Sequence, residues 1–531
     1  MRYGIFGGTF DPFHPGHLSM ITGTLKSGRV DKVWVIPSGY PPKKDAAALT
    51  PAPYRYYMTE AALKNITGCE VLPIELLRPE KSYTTDTLSY IRDEGVAGPD
   101  DKLVLIYGTD ILFELETWYH PERIVTQAEL LLARRPGVLQ ESTLRKATEL
   151  EEKYGIEISY FPIEGVNISS REIRRTGDYS KLSAPVRQFI ARHDLYPKEN
   201  PLAFLKDDTH VLLFGYETKL MKDLSRERLL HSLNTAVLCV RYAVRYGVSP
   251  DEAAVAGLLH DCAKQLPIAI QASMAKKVMG EPLPDNSLLH APAGQIYAAE
   301  RYGIDNESIL SAIRYHTTGR ESMTTLEKIV YLADKLEPAR DYDDLTAIRA
   351  LAEKDLDEAV IACLRAVRNK FELKKTAFHA DSSRALDSLI RRKQTKNDTI
   401  AKATQQTEEK MDTLTLSNEI IEILQNKKAE DVELIPIAEK TALADYFIIA
   451  TGTSTTHIKA LSDEVEILMK QNRNLMPDHI EGQSTGRWIL IDYKDIVVHI
   501  FHPEERAHYS LDKLWLTKRP EGSETIEEPE S

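Results

Sequence analysis

The stretch GGTFDPFHPGH, at residues 7–17, directly follows a short apolar run at residues 3–6. A strand followed by a glycine pair predicts a turn whose backbone amides approach a ligand closely, and the start of the next helix offers further donors to phosphate oxygens. His14 and His17 lie beside this turn, where an imidazole can donate to a phosphoryl oxygen as charge develops on it. A metal site would need a third and a fourth ligand, and Asp11 is the only candidate nearby. The residues favour a phosphate site, with a metal site or solvent-facing histidines as the alternatives.

Length and composition limit the class of protein. A chain of 531 residues is too long for one core, so we expect two to four domains. The four cysteines are widely spaced without a C-x-x-C pair, which is typical of a reducing cytosol and argues against a disulfide framework. The net charge of −13 argues against broad electrostatic binding of DNA or RNA. No apolar run approaches the roughly 20 residues that span a membrane, and the start is not a signal peptide. We therefore expect a cytoplasmic protein that binds neither membranes nor DNA.

Hydrophobic patterning divides the chain into three parts. Residues 1–197 alternate short apolar runs with helical patterns, which predicts an α/β fold with a parallel sheet. Residues 208–392 show repeated helical patterns with almost no strand signal, which predicts an all-α domain. Residues 393–411 are polar and nearly free of large apolar side chains, which predicts a flexible linker. Residues 412–517 return to a mixed α+β pattern, and residues 518–531 are expected to form a disordered acidic tail.

The complete string at residues 7–17 resembles the signature of nucleotidyltransferases with the HxGH motif, and specifically of nicotinate-nucleotide adenylyltransferases. Further matching segments follow in order: PPKK (41–44), SYTTDTL (82–88), GTD (108–110), ARRPG (133–137) and NISSREIR (167–174). The resemblance implies a Rossmann-like fold that transfers an adenylyl group from ATP to nicotinate mononucleotide and releases pyrophosphate, with Mg²⁺ accompanying ATP. The mononucleotide phosphate would attack the α-phosphorus in line, so catalysis would consist of positioning and charge stabilisation.

This resemblance also implies two sets of binding residues. His14 and His17 would be catalytic. The residues expected to bind ATP are Gly8, Thr9, His14, His17, Lys43, Ser169, Ser170 and Arg174. Lys44 is an alternative to Lys43, because the family usually has a histidine at the position of Lys43. The residues expected to bind the mononucleotide are Thr84, Thr85, Asp110, Trp118 and Arg135. Trp118 would stack on the pyridine ring, and its alternative is a core position.

Histidines and aspartates recur within the helical patterns of the second part, most clearly in LLHDCAK (258–264). Separate helices can bring such residues to one centre, and imidazole with carboxylate suits iron, manganese or zinc. Isolated histidines in a core or on a surface are the alternative. The residues predicted as metal ligands are His231, His260, Asp261, His290, His316 and Asp334.

The second part resembles HD-domain phosphohydrolases, in particular bacterial symmetrical diadenosine tetraphosphate hydrolases. The matching segments are RLLHS (228–232), LLHDCAK (258–264) and YLADKLEPAR (331–340). The resemblance implies cleavage of diadenosine tetraphosphate to two ADP by two divalent metals, with iron favoured and manganese or another ion as the alternative. Asp261 would bridge the metals as the catalytic ligand, and Lys264 and Arg340 would contact phosphates.

The third part resembles ribosomal silencing factors over ADYFIIATGTSTTHIKALSDEV (444–465) and EGQSTGRWILIDYKDIVVHIFHPEERAHYSLDKLW (481–515). The resemblance implies a small fold related to nucleotidyltransferases that binds a protein of the large ribosomal subunit and blocks joining of the small subunit. Catalysis is not expected, because its aspartates are scattered. The predicted interface aromatics are Trp488, Tyr493, Tyr509 and Trp515, with core packing as the alternative for each.

Together the three parts predict two enzymes and a ribosome-binding module in one chain. The rival hypothesis is a regulatory protein that senses nucleotides and binds ribosomes with one catalytic part inactive.

Overall fold

A computed structural model describes residues 1–134, 140–164, 168–280, 286–341 and 345–516, with the backbone alone at 396–411 and 516. Two compact units are present, Met1–Arg391 and Arg392–Ser531. Arg135 and the predicted acidic tail at 518–531 lie outside the described residues. No helix in the described ranges combines the length and apolar character that a membrane span requires.

A six-stranded sheet organises the first part of the first unit. Its strands are β1 (Arg2–Gly8), β2 (Lys32–Pro37), β3 (Cys69–Val71), β4 (Lys102–Gly108), β5 (Glu129–Arg134) and β6 (Ile158–Pro162). They are all parallel and lie in the order β3-β2-β1-β4-β5-β6, which confirms the predicted α/β class. The order reverses between β1 and β4, and ligands of such sheets bind beyond the carboxyl ends of the strands at this point. Gly8 ends β1 and Gly108 ends β4, so both predicted motifs meet at this crevice.

Helices cover both faces of this sheet. They are α1 (Pro15–Lys26), α2 (Ala52–Leu63), α3 (Thr84–Asp93), α4 (Ile111–Glu114), α5 (Pro121–Gln127), α6 (Glu141–Tyr154), α7 (Ser170–Thr176) and α8 (Ala184–Arg192). Ile5 and Phe6, which are neighbours on β1, belong to separate buried clusters on opposite faces. Because successive side chains of a strand point to opposite faces, the apolar run at the start of the chain is explained by burial on both sides.

The second part of the first unit is helical, as predicted. Its helices are α9 (Asp207–Asp223), α10 (Arg226–Tyr246), α11 (Pro250–Leu259), α12 (Ile268–Met279), α13 (His290–Tyr302), α14 (Glu307–Tyr315), α15 (Thr325–Leu336), α16 (Leu345–Ala352), α17 (Leu356–Leu373) and the start of α18 (Ala380–Asn426), whose remainder belongs to the second unit. Helices α10 and α11 approach closely at Gly257, where an added Cβ would lie 2.8 Å from the Cα of Ala236. This close approach brings His260, just after α11, beside His231 of α10.

One continuous buried cluster joins the first two predicted domains. It contains Tyr54 and Met58 of α2 and Val186 of α8 together with Leu229 and Leu233 of α10. The adenylyltransferase-like and HD-like parts are therefore packed against each other within one compact unit.

The predicted linker at 393–411 differs from the structure. Its backbone is helical and lies within α18, Ala380–Asn426. The segment lacks Gly and Pro and is rich in Lys, Gln, Glu and Ala, which are good helix formers. Its shortage of large apolar residues, on which the prediction of flexibility was based, does not prevent helix formation.

The second unit contains a mixed five-stranded sheet. Its strands are β7 (Glu430–Pro436), β8 (Tyr446–Thr451), β9 (His479–Glu481), β10 (Trp488–Asp492) and β11 (Ile496–Phe501), in the order β7-β8-β11-β10-β9. Only β8 and β11 pair in parallel; the other three pairs are antiparallel. The further helices are α19 (Thr455–Arg473), α20 (Pro503–Tyr509) and α21 (Leu511–Leu516). This arrangement confirms the predicted small α+β domain.

Candidate active sites

A buried arginine holds the turn after β1 in place. Arg55 of α2 is 1% exposed, and its guanidinium donates to the backbone oxygens of Thr9 at 2.9 Å, Ser38 at 2.6 Å and Gly39 at 3.0 Å. Sequence analysis missed this residue. The available signal was a charged side chain inside the otherwise apolar and aromatic stretch PYRYYM of α2.

His14 and His17 form a stacked pair at the start of α1. Their ring centroids lie 3.6 Å apart at an interplanar angle of 15°, and the His14 backbone N–H donates to His17 Nδ1 at 3.2 Å. Burial lowers the pKa of His14 to about 4 and holds the pKa of His17 well below its usual value. Both imidazoles are therefore neutral near pH 7, a state in which each ring offers one N–H donor.

The geometry disfavours a metal at this pair. Asp11, the only further ligand candidate, accepts hydrogen bonds from the Tyr196 hydroxyl at 2.8 Å and from the Thr50 backbone N–H at 3.3 Å. It also lies 3.5 Å from Arg174. Among the described residues, the clusters able to share one ion include neither His14 nor His17.

The segment around α7 folds back onto the motif at residues 7–17. Ser170 Oγ donates to the Pro12 backbone oxygen at 2.8 Å, and the Arg174 guanidinium donates to the Asp11 backbone oxygen. Ser169 caps α7 by accepting from the Glu172 backbone N–H at 3.2 Å. The structure thus joins two segments that the sequence predicted as parts of one site.

The two neighbouring lysines point to different places. Lys44 Nζ donates to Thr9 Oγ1 at 2.6 Å, whereas Lys43 Nζ donates to Thr117 Oγ1 at 2.9 Å. Lys44 is the lysine that reaches the turn after β1, so Lys44, the alternative to Lys43, becomes the candidate contact for an ATP phosphate. Burial lowers the pKa of Lys44, and the nearby Arg55 acts in the same direction.

The predicted mononucleotide residues lie near the carboxyl end of β4 and the start of α3. Thr84 begins α3, and the neighbouring Thr85 is fully buried with no hydrogen-bond partner for its hydroxyl among the described residues. Such hydroxyls are uncommon and mark candidate ligand contacts. Asp110 is exposed after β4, and the half-buried Trp118 meets the Tyr107 ring edge-on at 5.3 Å.

The six predicted metal ligands of the second part lie on, or just after, five different helices, yet their side chains meet in one cluster. Asp261 lies at the centre. Its Oδ2 is 3.8 Å from His231 Nε2 and 3.6 Å from His260 Nε2, while its Oδ1 is 3.3 Å from His290 Nε2 and 3.5 Å from His316 Nε2. The two oxygens of one carboxylate therefore face two different pairs of imidazoles.

Asp334 completes one side of this cluster. Its Oδ1 lies 3.0 Å from His231 Nε2 and 3.7 Å from His260 Nε2. On this side, His260 Nδ1 donates to the Gly257 backbone oxygen at 2.7 Å, and on the other side His316 Nδ1 donates to the Ile313 backbone oxygen at 2.6 Å. These bonds leave Nε2 of each ring as the ligand atom, which is the usual arrangement of metal-binding histidines. The donor set fits divalent ions such as iron, manganese or zinc.

Cationic side chains surround the cluster. Lys264 Nζ lies 3.0 Å from both ring nitrogens of His290, and Arg340 Nη2 lies 3.4 Å from Asp334 Oδ1. Arg228, which sequence analysis did not select, donates to Asp261 Oδ2 at 2.5 Å. A cleft of about 740 Å³ opens beside the cluster. Its basic lining residues are Arg192, Arg226, Arg228, Lys264 and Arg340.

The aromatic residues predicted as an interface in the second unit have different environments. Trp488 stacks on Phe501 at 4.7 Å, and Trp515 meets Phe447 edge-on at 5.5 Å; both tryptophans are half-buried. Tyr493 is only 7% exposed and belongs to the core, so we withdraw it from the predicted interface. Tyr509 is 52% exposed.

Three family descriptions match successive segments of the chain. "Cytidylyltransferase-like" matches residues 5–176, "HD domain" matches residues 228–339, and "Ribosomal silencing factor during starvation" matches residues 393–531. These matches agree with the α/β, helical and small α+β parts seen in the structure.

Similar proteins carry the first part alone or the first two parts together. A "Probable nicotinate-nucleotide adenylyltransferase/Ap4A hydrolase" of Mycoplasma pneumoniae is 27% identical over 378 residues, which cover 69% of this chain and 98% of that protein. A "Probable nicotinate-nucleotide adenylyltransferase" of Clostridium botulinum is 30% identical over 37% of this chain and 99% of its own length. One of the same name from Thermomicrobium roseum is 34% identical over 37% of this chain and 91% of its own length.

These similarities support nicotinate-nucleotide adenylyltransferase activity for the first part. The HD domain implies divalent metals and hydrolase chemistry. The chain belongs to the nicotinate-nucleotide adenylyltransferase family and carries, in the same polypeptide, an HD domain and a ribosomal silencing factor domain.

Proposed function

We propose that the HD domain hydrolyses diadenosine tetraphosphate to two ADP. The observation that carries this proposal is Asp261, whose two carboxylate oxygens face separate imidazole pairs, as expected of a ligand that bridges two metal ions. The basic cleft beside it suits a polyphosphate chain. The printed name of the Mycoplasma pneumoniae relative, which includes Ap4A hydrolase, supports the substrate.

We assign two roles to the residues of this site, metal binding and phosphate binding. When bound, two divalent ions activate water and polarise the phosphoanhydride. His231, His260 and Asp334 would hold one ion, His290 and His316 the other, with Asp261 between them. Lys264, Arg340 and Arg228 neutralise the phosphate oxygens and orient the chain for attack. Iron is the ion that we favour, since imidazole with carboxylate suits it, and manganese is the alternative.

Metal content and products of the purified full chain test this proposal. We expect two divalent ions per chain and conversion of diadenosine tetraphosphate to ADP alone. Release of AMP and ATP would contradict symmetrical cleavage. A metal-loaded chain that gives no product would favour the rival hypothesis of a nucleotide sensor.

We also propose roles for the residues of the adenylyl-transfer site. The turn at Gly8 and Thr9 would receive the ATP phosphates, with His14 and His17 donating to them and Lys44 adding charge. Ser170 and Arg174 hold the motif in place through the Pro12 and Asp11 backbone oxygens. Mg²⁺ would accompany ATP.

The mononucleotide would bind on the other side of the same crevice. Thr84, Thr85 and Asp110 provide polar contacts there, and Trp118 provides an aromatic face for the pyridine ring. Replacing Trp118 by Leu is expected to raise KM for nicotinate mononucleotide while leaving KM for ATP unchanged. An equal rise in both KM values would contradict the stacking role.

For the third part we propose binding to a protein of the large ribosomal subunit, which prevents the subunits from joining. Its match to ribosomal silencing factors supports this proposal, and the acidic chain suits a basic ribosomal protein. The exposed Tyr509 is the strongest candidate contact, since tyrosines are enriched in binding hot spots.

Sedimentation of the full chain with purified large subunits tests this role. Tyr509→Ala is expected to weaken co-sedimentation, whereas Phe113→Ala removes an equally exposed aromatic of the first unit and should not. Failure of the unaltered chain to sediment with large subunits would refute the proposal.

A further inference from the structure

A tyrosine of the adenylyltransferase part is buried against the HD domain. Tyr54 lies on α2 and is 1% exposed, and its hydroxyl donates to Asn234 Oδ1 of α10 at 2.7 Å. Asn234 follows His231, a predicted metal ligand, on the same helix. The ring of His193, which follows α8 in the adenylyltransferase part, lies 3.1 Å from Asn234 Nδ2. Two of the side chains that contact this amide therefore come from the adenylyltransferase part.

The contacts continue from Asn234 to the metal cluster. Asn234 Nδ2 donates to Glu337 Oε2 at 2.7 Å, and Glu337 Oε1 lies 3.2 Å from His231 Nδ1. Each of these side chains is buried, so water does not compete for the bonds. A carboxylate on the second nitrogen of a metal-binding histidine fixes the ring and raises its basicity. Glu337 is this carboxylate for His231, because it lies against Nδ1 of the His231 ring.

The Asn234 amide turns its nitrogen to the acceptor-only carboxylate of Glu337, and the Tyr54 hydroxyl satisfies the amide oxygen on the other side. By donating to Oδ1 it leaves Nδ2 toward Glu337, where an N–H donor is needed. The opposite orientation would place an amide oxygen against the carboxylate, and two acceptors cannot hydrogen-bond. The Tyr54 hydroxyl therefore stabilises the orientation of Asn234 in which the amide nitrogen donates to Glu337.

From this geometry we propose that Tyr54 is a positioning residue of the HD metal site, acting on His231 through Asn234 and Glu337. The hydrolase site is thus completed by the adenylyltransferase part. The next residue of α2, Arg55, holds the Thr9 backbone of the other site, so one turn of α2 supports both reactions. The inference rests on the proposed hydrolase function, because it assigns a residue to that same site.

The test measures binding of Mn²⁺ to the full chain by calorimetry. Tyr54→Phe removes the hydroxyl alone and is expected to weaken one of two Mn²⁺ sites by about 10-fold or more, as outer-shell changes do. Hydrolysis should fall at limiting Mn²⁺ and recover when Mn²⁺ is saturating, while kcat and KM for adenylyl transfer stay unchanged. Tyr56→Phe, on the same helix, is the matched control and should bind Mn²⁺ like the unaltered chain.

A double variant separates positioning from a general loss of packing. Glu337→Gln interrupts the same path, so Tyr54→Phe combined with Glu337→Gln should weaken Mn²⁺ binding by less than the product of the two single effects. Unchanged Mn²⁺ affinity in Tyr54→Phe, or purely multiplicative effects in the double variant, would overturn the inference. An unaltered chain that neither contains bound divalent metal nor binds Mn²⁺ would instead refute the proposed hydrolase, and the inference with it.

Discussion

Two sets of histidines in the same compact unit have opposite surroundings. His14 and His17 stack on each other at 3.6 Å, and the nearby Asp11 is engaged by neighbouring protein groups. His290 and His316, in contrast, point Nε2 at one oxygen of Asp261, whose other oxygen faces a further imidazole pair. The spacing of the first pair permitted a metal, yet among the described residues it is the carboxylates of the second set that face several imidazole nitrogens. Carboxylates that face imidazoles, more than histidine spacing, distinguish a candidate metal site from a candidate phosphate site.

Removing the carboxylate at the centre of the second set is the strongest test of this comparison. Asp261→Asn keeps the shape of the side chain but loses its charge, so we expect metal content and hydrolysis to fall by more than about 100-fold, beyond the effect of an outer-shell change. Adenylyl transfer by the same preparation should be unchanged. Asp223→Asn, whose carboxylate meets Tyr297 and Tyr302 away from the cluster, is the control. Full hydrolysis in Asp261→Asn would show that the Asp261 carboxylate is not needed for the metal site, contrary to the comparison.

The converse change concerns the first set. His17→Ala removes a donor that we assign to the transferring phosphoryl group, and loss of one such donor costs about 100-fold to 1000-fold in rate. Rate measurements with ATP and nicotinate mononucleotide should show this loss, while Mn²⁺ binding stays at the level of the unaltered chain. His379→Ala, outside both sites, should affect neither. A drop in metal content in His17→Ala would place a metal at the first pair after all.

Sequence analysis identified sites whose residues are contiguous or carry distinctive flanks. Two segments carried these predictions: the motif at residues 7–17 indicated the α/β fold, and LLHDCAK indicated the HD domain. Metal ligands predicted for the HD domain lie together in the structure. Arg55 and Tyr54 were missed because their partners, Thr9 and Asn234, lie 46 and 180 residues away and only burial brings them together.

Other predictions differ from the structure because the type of a residue does not by itself decide where its side chain lies. Tyr493 has the composition of an interface residue but packs in the core, since tyrosine suits both environments. The segment 393–411 has the composition of a linker, yet more than half of it is Lys, Gln, Glu, Ala and Met, which favour a helix, and its backbone is helical. Lys43 and Lys44 are identical in type, and only the backbone of their turn decides which one reaches Thr9.

The two lysines allow a matched test within the first site. Lys44→Met removes a positive charge that we place on the ATP phosphates, and charge-assisted contacts of this kind contribute about 1.5–3 kcal/mol, or about 10-fold or more in kcat/KM for ATP. Lys43→Met alters a neighbouring lysine that contacts Thr117 and should change kcat/KM by less than about 3-fold. The reverse order of effects would return the phosphate contact to Lys43.

The last prediction concerns the protonation of the first pair and is measured on stability, not on activity. Burial lowers the pKa of His14 to about 4 from its usual 6.5, so between these pH values the folded protein binds fewer protons here than the unfolded chain does. The free energy of unfolding must therefore fall as the pH decreases through this window, by about 2 kcal/mol at pH 5 relative to pH 7. His14→Gln lacks this titration, so its melting temperature should decrease less than that of the unaltered chain between pH 7 and pH 5. Equal decreases would mean that folding does not lower the pKa of His14, and its imidazole would then become charged as the pH falls below about 6.5.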